Sequence, residues 1–416
     1  MLLSIAMMPL IWSSFWEKNK NKIITALVFS IPVAVYLLWN GLGIKLLDSM
    51  IFDYIPFIVL IGSVFVVTGG IYVAGDIEAK TSINILFLGI GAIIASVIGT
   101  TGAAMLLIRP LIQTNKDRKF KVHTILFFIA IVANCGGLLT PLGDPPLFLM
   151  YLRGANFTWF LKLILPWLFT NGILLFIYFI VDSFYHKKEP VEALIRDKTN
   201  ILPIKIHGKF NLVWLAGIVL AVAFINEQYF TMIRINPYYG FLRESLIFLM
   251  ALLSYFYTPR FTRISNNFNW NPIIEVAVLF FGIFVTIIPC ILCLDANAEN
   301  LGITNPNQFY YYTGLVSSFL DSAPAAVMFH SLAKNLGTLT GFSMAGISEE
   351  ILKGICLASV FFGSITYIGN GPNFMIKAIA EENKIKMPHF FSYMFKFSLI
   401  VLLPIYILVQ LIFISL

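Results

Sequence analysis

Apolar positions along this chain fall in long blocks rather than at the short periods of amphipathic helices or strands. A run of about twenty apolar residues matches the length of a helix that crosses a bilayer. Such runs predict spans at residues 22–40, 51–75, 120–152, 158–184, 211–230, 242–258, 272–295, 351–380 and 391–415. Residues 2–16 are also apolar and lack a basic leader or a small-residue cleavage site, so we interpret them as a short first helix.

Two further apolar stretches, residues 81–113 and 308–337, are interrupted near the middle. The interruptions are Gly99-Thr100-Thr101-Gly102 and Asp321-Ser322-Ala323-Pro324. Backbone that turns at membrane depth is tolerated only where protein or a water-filled cavity satisfies its polar groups. We therefore predict two re-entrant helical hairpins, the first hairpin and the second hairpin, whose tips line a cavity.

Matching polar segments interrupt two of the spans. Span 120–152 contains Gly137-Leu-Leu-Thr140-Pro-Leu-Gly143-Asp144-Pro145-Pro146, and span 351–380 contains Gly363-Ser-Ile-Thr366-Tyr-Ile-Gly369-Asn370-Gly-Pro372-Asn373. The glycines release helical geometry, and the prolines suit the first positions of the next half-helix. The pattern thus predicts two broken helices at the midplane, with a first break within residues 137–148 and a second break within residues 363–374.

These elements recur in the same order in two halves, which we assign to residues 22–184 and 242–416. Residues 1–21 precede the first half, and residues 185–241 form a cytoplasmic linker and a connecting helix. An odd number of crossings separates the two starts, so the second half is expected to be inverted. Inverted repeats whose broken helices meet at the midplane are a known transporter architecture.

Charge supports this topology, because Lys and Arg accumulate in cytoplasmic loops. Eighteen Lys and Arg residues fall in the loops of one face, and three, Lys45, Arg153 and Arg234, in the loops of the other. The composition is 59% hydrophobic and 12% charged, with a net charge of +7 that lipid orientation explains better than nucleic acid. We predict an all-α polytopic membrane protein with about ten transmembrane helices and two hairpins, in the bacterial inner (plasma) membrane.

Oxygen-bearing side chains at the breaks are candidates for ion binding, since hard oxygen ligands suit sodium. They are Asn134, Thr140, Asp144, Thr366, Asn370 and Asn373. A carboxylate at membrane depth is costly unless it is paired, protonated or bound to an ion, so Asp144 would exchange a proton for a metal ion. Three alternatives remain open: Asp144 as a helix cap, Asn134 as an interhelical hydrogen-bonding group, and Asp321 as a cap of the hairpin arm.

Two other features were weighed for chemistry. Glu275 lies one turn inside a span and is either an accessory ion residue or a first-turn acid favoured by the helix dipole. Cys290 and Cys293 form a Cys-x-x-Cys without a second ligand pair or a nearby histidine, so we interpret them as packing residues. We expect no cofactor and no metal beyond transported sodium.

The segment Asn134-Cys-Gly-Gly-Leu-Leu-Thr140-Pro-Leu-Gly143-Asp144-Pro-Pro resembles the signature of an ion transporter superfamily. This superfamily includes NhaD-type sodium/proton antiporters, arsenite exporters and citrate or dicarboxylate carriers. The second break and Phe319-Leu-Asp321-Ser322-Ala-Pro324 are similar to its second-half motifs. The resemblance implies elevator-like alternating access, a homodimer, and a cation site formed by Asn134, Thr140, Asp144, Asp321, Ser322, Thr366 and Asn370.

The chain departs from NhaD-type antiporters at Thr100-Thr101, where they carry Asp-Asn, and at Ser322, where they carry Asn. We expect sodium/proton antiport, with sodium-coupled citrate or dicarboxylate symport as the alternative. Carboxylate carriers have Ser-Asn-Thr at both hairpin tips, and neither tip here reproduces it. An intramembrane enzyme is disfavoured, because the spans show no nucleophile with its base and no His-Glu-x-x-His.

Overall fold

The computed structural model describes residues 1–16, 18–199, 201–336 and 343–414. Within these residues, eight helices are long and apolar enough to cross a membrane. Seven of them correspond to predicted spans, and the eighth is the first arm of the first hairpin, Thr81–Ile98. Helices dominate the described residues, and the chain is an all-α polytopic membrane protein.

The helices before the linker follow the predicted order. The α-helices are Leu2–Ile11, Ser13–Trp16, Asn19–Trp39, Gly43–Asp48, Ile55–Thr68, Thr81–Ile98, Thr100–Thr114, Val122–Ile131, Pro145–Leu152 and Ile164–His186, with a π-helical turn at Ser49–Tyr54 and 3₁₀ turns at Cys135–Leu139 and Phe157–Leu163. Gly99, at φ +81°, separates the two arms of the first hairpin.

The linker and second half comprise the α-helices Val191–Thr199, Asn211–Phe224, Met232–Ile235, Phe241–Tyr257, Arg260–Ser265, Asn271–Ala296, Pro306–Phe319, Ser322–Asn335, Glu349–Phe362, Gly371–Glu382, Phe390–Tyr393 and Leu403–Phe413. Shorter turns are the 3₁₀ segments Pro237–Gly240 and Ala298–Leu301 and the π-helical segment Met394–Leu402. The predicted ends of the second hairpin at residue 337 and of the last span at residue 415 lie outside the described residues.

The predicted span 51–75 is displaced. The helical segment runs from Gly43 to Thr68, and Tyr72–Asp76 is instead a strand paired antiparallel with Leu202–His207 of the linker. Apolar content alone does not distinguish a helix end from a short strand, and Lys45 and Asp48 concealed the true start. We call this two-stranded sheet the linker ribbon. A second, smaller ribbon pairs Ser343–Met344 with Ile347–Ser348.

The connecting helix is also shorter than predicted. Asn211–Phe224 replaces span 211–230, because the Asn226 side chain accepts hydrogen bonds from the backbone N–H groups of Gln228 and Tyr229 and turns the chain there. Fourteen residues extend about 21 Å, less than the roughly 30 Å hydrocarbon core. The predicted inversion of the second half depends on this helix crossing the membrane. The inversion therefore stays a prediction.

The broken helices form the centre of the fold. The window Val122–Leu139 is 78% buried within the protein, whereas the peripheral span Asn19–Trp39 is 28% buried. In Glu349–Phe362, every residue from Cys356 to Phe362 is buried. Polar groups on these two helices are therefore shielded from lipid by the surrounding helices.

Candidate functional site

Asp144 begins the half-helix after the first break without capping it. Pro145 occupies the first helical position, and the Asp144 carboxylate accepts no hydrogen bond from the first-turn N–H groups. Its Oδ1 instead accepts hydrogen bonds from Thr100 Oγ1 at 2.7 Å and from Asn370 Nδ2 at 3.2 Å. The carboxylate of this 1% exposed residue thus joins the first break to the first hairpin tip and to the second break.

Asn134 joins the two breaks. Its Oδ1 accepts a hydrogen bond from Asn370 Nδ2 at 3.1 Å, and its Nδ2 donates to Asn373 Oδ1 at 2.7 Å and to the Ile129 carbonyl at 2.8 Å. Asn373 Nδ2 in turn donates to the carbonyls of Gly363 and Thr366. Asn134 therefore forms interhelical hydrogen bonds, as the alternative interpretation predicted. The bond to Asn370 places the Asn134 side chain close to the Asp144 carboxylate.

The two break threonines bind the hairpins in the same way. Thr140 Oγ1 donates to the Ser96 carbonyl and accepts from Leu142 N at 3.1 Å. Thr366 Oγ1 donates to the Ser318 carbonyl and accepts from Gly369 N at 3.1 Å. Each hydroxyl therefore joins a break to the first arm of the hairpin in its own half.

Glycines allow the close approach of backbone that these contacts need. A Cβ atom on Gly143 would lie 1.9 Å from the Gly137 carbonyl oxygen, and one on Gly369 would lie 2.6 Å from the Gly363 carbonyl oxygen. The Thr100 backbone N–H also donates to the Gly143 carbonyl at 2.7 Å, which fixes the first hairpin tip against the break. A side chain at either glycine would therefore push apart the two backbone segments of its own break.

At the second tip, Asp321 is the cap that the alternative interpretation describes, since its side chain accepts from Ala323 N at 3.1 Å. Ser322 opens the second arm and is fully buried, with Pro324 two residues later. Ser322 occupies the position equivalent to Thr100, which also opens the second arm of its hairpin.

Two oxygen atoms near the hairpin tips lack hydrogen-bond partners among the described residues: Asp144 Oδ2 and Ser322 Oγ. Both are buried, and an unsatisfied buried oxygen indicates a missing ligand, proton or water. A cavity of about 50 Å³ lies against Asp144, Thr100 and Thr101, with apolar walls from the helix Ile55–Thr68. This volume exceeds the roughly 10–15 Å³ that one water requires, so it accommodates a small ion or a few waters.

Glu275 does not join this cluster. It lies just past the first turn of Asn271–Ala296, which contains no acid, and its carboxylate pairs with Lys22 Nζ at 2.7 Å. The first-turn interpretation is therefore wrong by one residue. The accessory ion role stays a prediction, and the partner seen in the structure is a lysine of the span Asn19–Trp39.

Sequence reasoning missed Ser96 and Ser318, whose carbonyls receive the break threonines. Both precede their hairpin tips at equivalent positions, three residues before Gly99 and Asp321. Ser96 Oγ also donates to the Gly136 carbonyl at 2.5 Å, which adds a contact to the first break. Aligning the two hairpins with each other would have identified this pair, because the spacing of 222 residues also relates Thr100 to Ser322.

A family model described as "putative citrate transport" matches residues 1–414, nearly the whole chain. No curated protein matches it.

Proposed function

The chain belongs to this citrate transport family. We propose that it is a secondary active transporter that exchanges sodium and protons at Asp144. The observation that carries the proposal is the buried Asp144 Oδ2, which has no partner among the described residues and belongs to a side chain that lines a small cavity. Its other oxygen is held by Thr100 and Asn370.

A proton and a sodium ion are alternative ways to neutralise this carboxylate. Leaving it charged and unpaired at membrane depth costs several kcal/mol, so each bound species stabilises the same side chain. Because both use Oδ2, binding of one excludes the other. That competition is the chemical requirement for antiport, in which protonation on one side releases sodium and deprotonation on the other readmits it.

The attachment of the hairpins supports alternating access by a joint movement. Thr140 and Thr366 bind the hairpins to the breaks, and Asn134 binds the two breaks to each other. Hydrogen bonds therefore connect all four elements around Asp144. In an elevator-like movement these elements would travel together and carry the ion across the bilayer.

Citrate symport is the second candidate, and one cavity favours it. A larger cavity of about 340 Å³ is lined by Tyr151, Asn226, Arg234, Arg243 and Glu244. Arg234 suits a carboxylate, whereas Arg243 already pairs with Glu244 and donates to Tyr151. The small cavity at Asp144 argues against an anion there, because its described lining contains no Lys or Arg. A citrate carboxylate beside Asp144 would also be repelled in a low-dielectric site.

Proteoliposomes with an imposed pH gradient distinguish these functions. We expect addition of sodium alone to dissipate the gradient, and Asp144→Asn to reduce the rate of this response on the order of 100-fold. Asp48→Asn, the same chemical change at an exposed position, is the matched control and should behave as wild type. Strict dependence on citrate would replace antiport with symport, and normal exchange by Asp144→Asn would reject Asp144 as the exchange residue.

A further inference from the structure

Two of the four cysteines lie at the surface. Cys290 and Cys293 are free and exposed in the last two turns of Asn271–Ala296, whereas Cys135 and Cys356 are buried. The interpretation of Cys290 and Cys293 as packing residues is therefore wrong. Side chains three residues apart share one face of a helix, so the two thiols are neighbours.

A third sulfur lies beside Cys290. Cys290 Sγ is 3.8 Å from Sδ of Met328, which belongs to the second arm of the second hairpin. Metal–sulfur bonds are about 2.3 Å long, so two sulfurs that share one metal ion in a trigonal or tetrahedral site lie roughly 3.8–4.0 Å apart. The observed separation therefore matches sulfurs positioned to bind one ion.

The ligand types define which ion fits. No group of three His, Cys, Asp or Glu side chains in the described residues is placed to hold a metal ion, so harder ligands do not complete this site. The nearest acid on the same helix, Asp295, already accepts hydrogen bonds from Ser331 and Asn335. Thiolate and thioether ligands without imidazole or carboxylate select soft ions such as copper(I).

We propose that Cys290, Cys293 and Met328 form a binding site for a soft monovalent metal ion, copper(I) or its analogue silver(I). Binding displaces the thiol protons and forms metal–sulfur bonds without any change in oxidation state. The ligands come from a long helix and from a hairpin arm, so the bound ion ties one to the other. On the predicted topology, the site lies near the outer ends of both elements.

Asp295 holds the two elements in register. It lies two residues after Cys293, and its bonds to Ser331 and Asn335 attach the helix end to the hairpin arm that carries Met328. This attachment keeps the thioether beside the thiols before any ion binds. A preorganised site loses less entropy on binding than one that must be assembled.

The test is copper(I) binding to the full-length protein in detergent under anaerobic, reducing conditions, with competition against a colorimetric copper(I) chelator. We expect one ion per chain, loss of this binding in Cys290→Ser/Cys293→Ser, and about tenfold or more weaker binding in Met328→Leu, which keeps similar volume. Cys356→Ser removes a buried thiol and should bind as wild type.

X-ray absorption at the copper edge supplies an independent measurement, with three sulfur neighbours expected in the wild type and two in Met328→Leu. Unchanged copper affinity in Cys290→Ser/Cys293→Ser would overturn the site. Wild-type affinity and two sulfur neighbours in both wild type and Met328→Leu would overturn the link to the hairpin. Thermal unfolding of each variant shows that lost binding does not reflect lost folding.

Discussion

The two breaks share a backbone plan but differ in their chemistry. In both, a threonine hydroxyl donates to a serine carbonyl of the hairpin, and paired glycines bring carbonyl and backbone into contact. The position that precedes the half-helix, however, is Asp144 in the first break and Asn370 in the second. The repeat thus conserves the scaffold and places the carboxylate in one half.

The difference extends to the asparagines around the carboxylate. The second half carries Val360 at the position equivalent to Asn134, and the first half carries Leu147 at the position equivalent to Asn373. Each half therefore carries one asparagine that the other lacks, and the two asparagines hydrogen-bond to each other at 2.7 Å. The halves are complementary rather than duplicate, which favours one shared site over two equal ones.

The largest expected effect comes from adding a methyl group at the tighter glycine contact. Gly143→Ala should abolish accumulation of folded protein, because its Cβ would lie 1.9 Å from backbone oxygen. In Gly369→Ala the new Cβ would lie 2.6 Å from the Gly363 carbonyl oxygen, so the free energy of unfolding should fall less, by about 1–3 kcal/mol as is typical for overpacking. Size-exclusion chromatography and thermal unfolding measure both. Gly371→Ala, whose Cβ meets nothing within 4 Å, is the control, and equal stability of all three variants would contradict the steric explanation.

Moving the carboxylate tests whether its location in the first half is essential. Asp144→Asn should reduce sodium-driven proton flux on the order of 100-fold, equivalent to about 2.7 kcal/mol. Asn370→Asp alone places a second acid against the first and should also impair exchange by repulsion.

The swapped variant Asp144→Asn/Asn370→Asp should recover part of the flux, since Ser322 Oγ is placed like Thr100 and lacks a partner among the described residues. Flux in proteoliposomes is the measurement. A swap no more active than Asp144→Asn would show that the two positions are not interchangeable.

Breaking the asparagine pair tests the complementarity. Asn134→Leu removes the hydrogen-bond donor to Asn373 Oδ1 and one of the three acceptors of Asn370 Nδ2, and it should lower the free energy of unfolding by about 1–3 kcal/mol. Asn373→Leu should cost a similar amount, and the double variant should cost less than the sum because the two residues share a bond. Chemical unfolding in detergent gives the double-mutant cycle. Strict additivity would exclude coupling across the breaks.

The smallest effects are expected where the halves are alike. Thr140→Val and Thr366→Val each remove the bond to a hairpin carbonyl and the bond that the hydroxyl accepts from the backbone of its own break, and each should destabilise by about 1–2 kcal/mol. The comparison predicts equal shifts in the free energy of unfolding. A clearly larger effect in one half would mean that its hairpin is held more tightly than the symmetric bonds suggest.

Sequence predicted the breaks and hairpins because glycines, prolines and polar residues interrupt otherwise apolar runs at matching places. The sequence could not predict that Asp144 accepts hydrogen bonds from Thr100 and Asn370 instead of capping its helix, since these two side chains lie beside Asp144 only after the halves pack together. Similarly, the strand Tyr72–Asp76 depends on a partner more than a hundred residues away. Local composition identifies where the helical backbone is interrupted, and tertiary packing determines what the interruption contacts.

The linker ribbon has a mechanical consequence. Its strand Tyr72–Asp76 leads into the first hairpin, and Asp76 pairs with Lys116 just beyond the end of that hairpin, while the opposite strand is Leu202–His207. The ribbon therefore attaches the linker to the base of the first hairpin, where the first arm begins and where the second arm ends. A displacement of that hairpin would therefore also move the linker strand Leu202–His207. The linker is in this way mechanically coupled to the first hairpin and is not a flexible connection between the two halves.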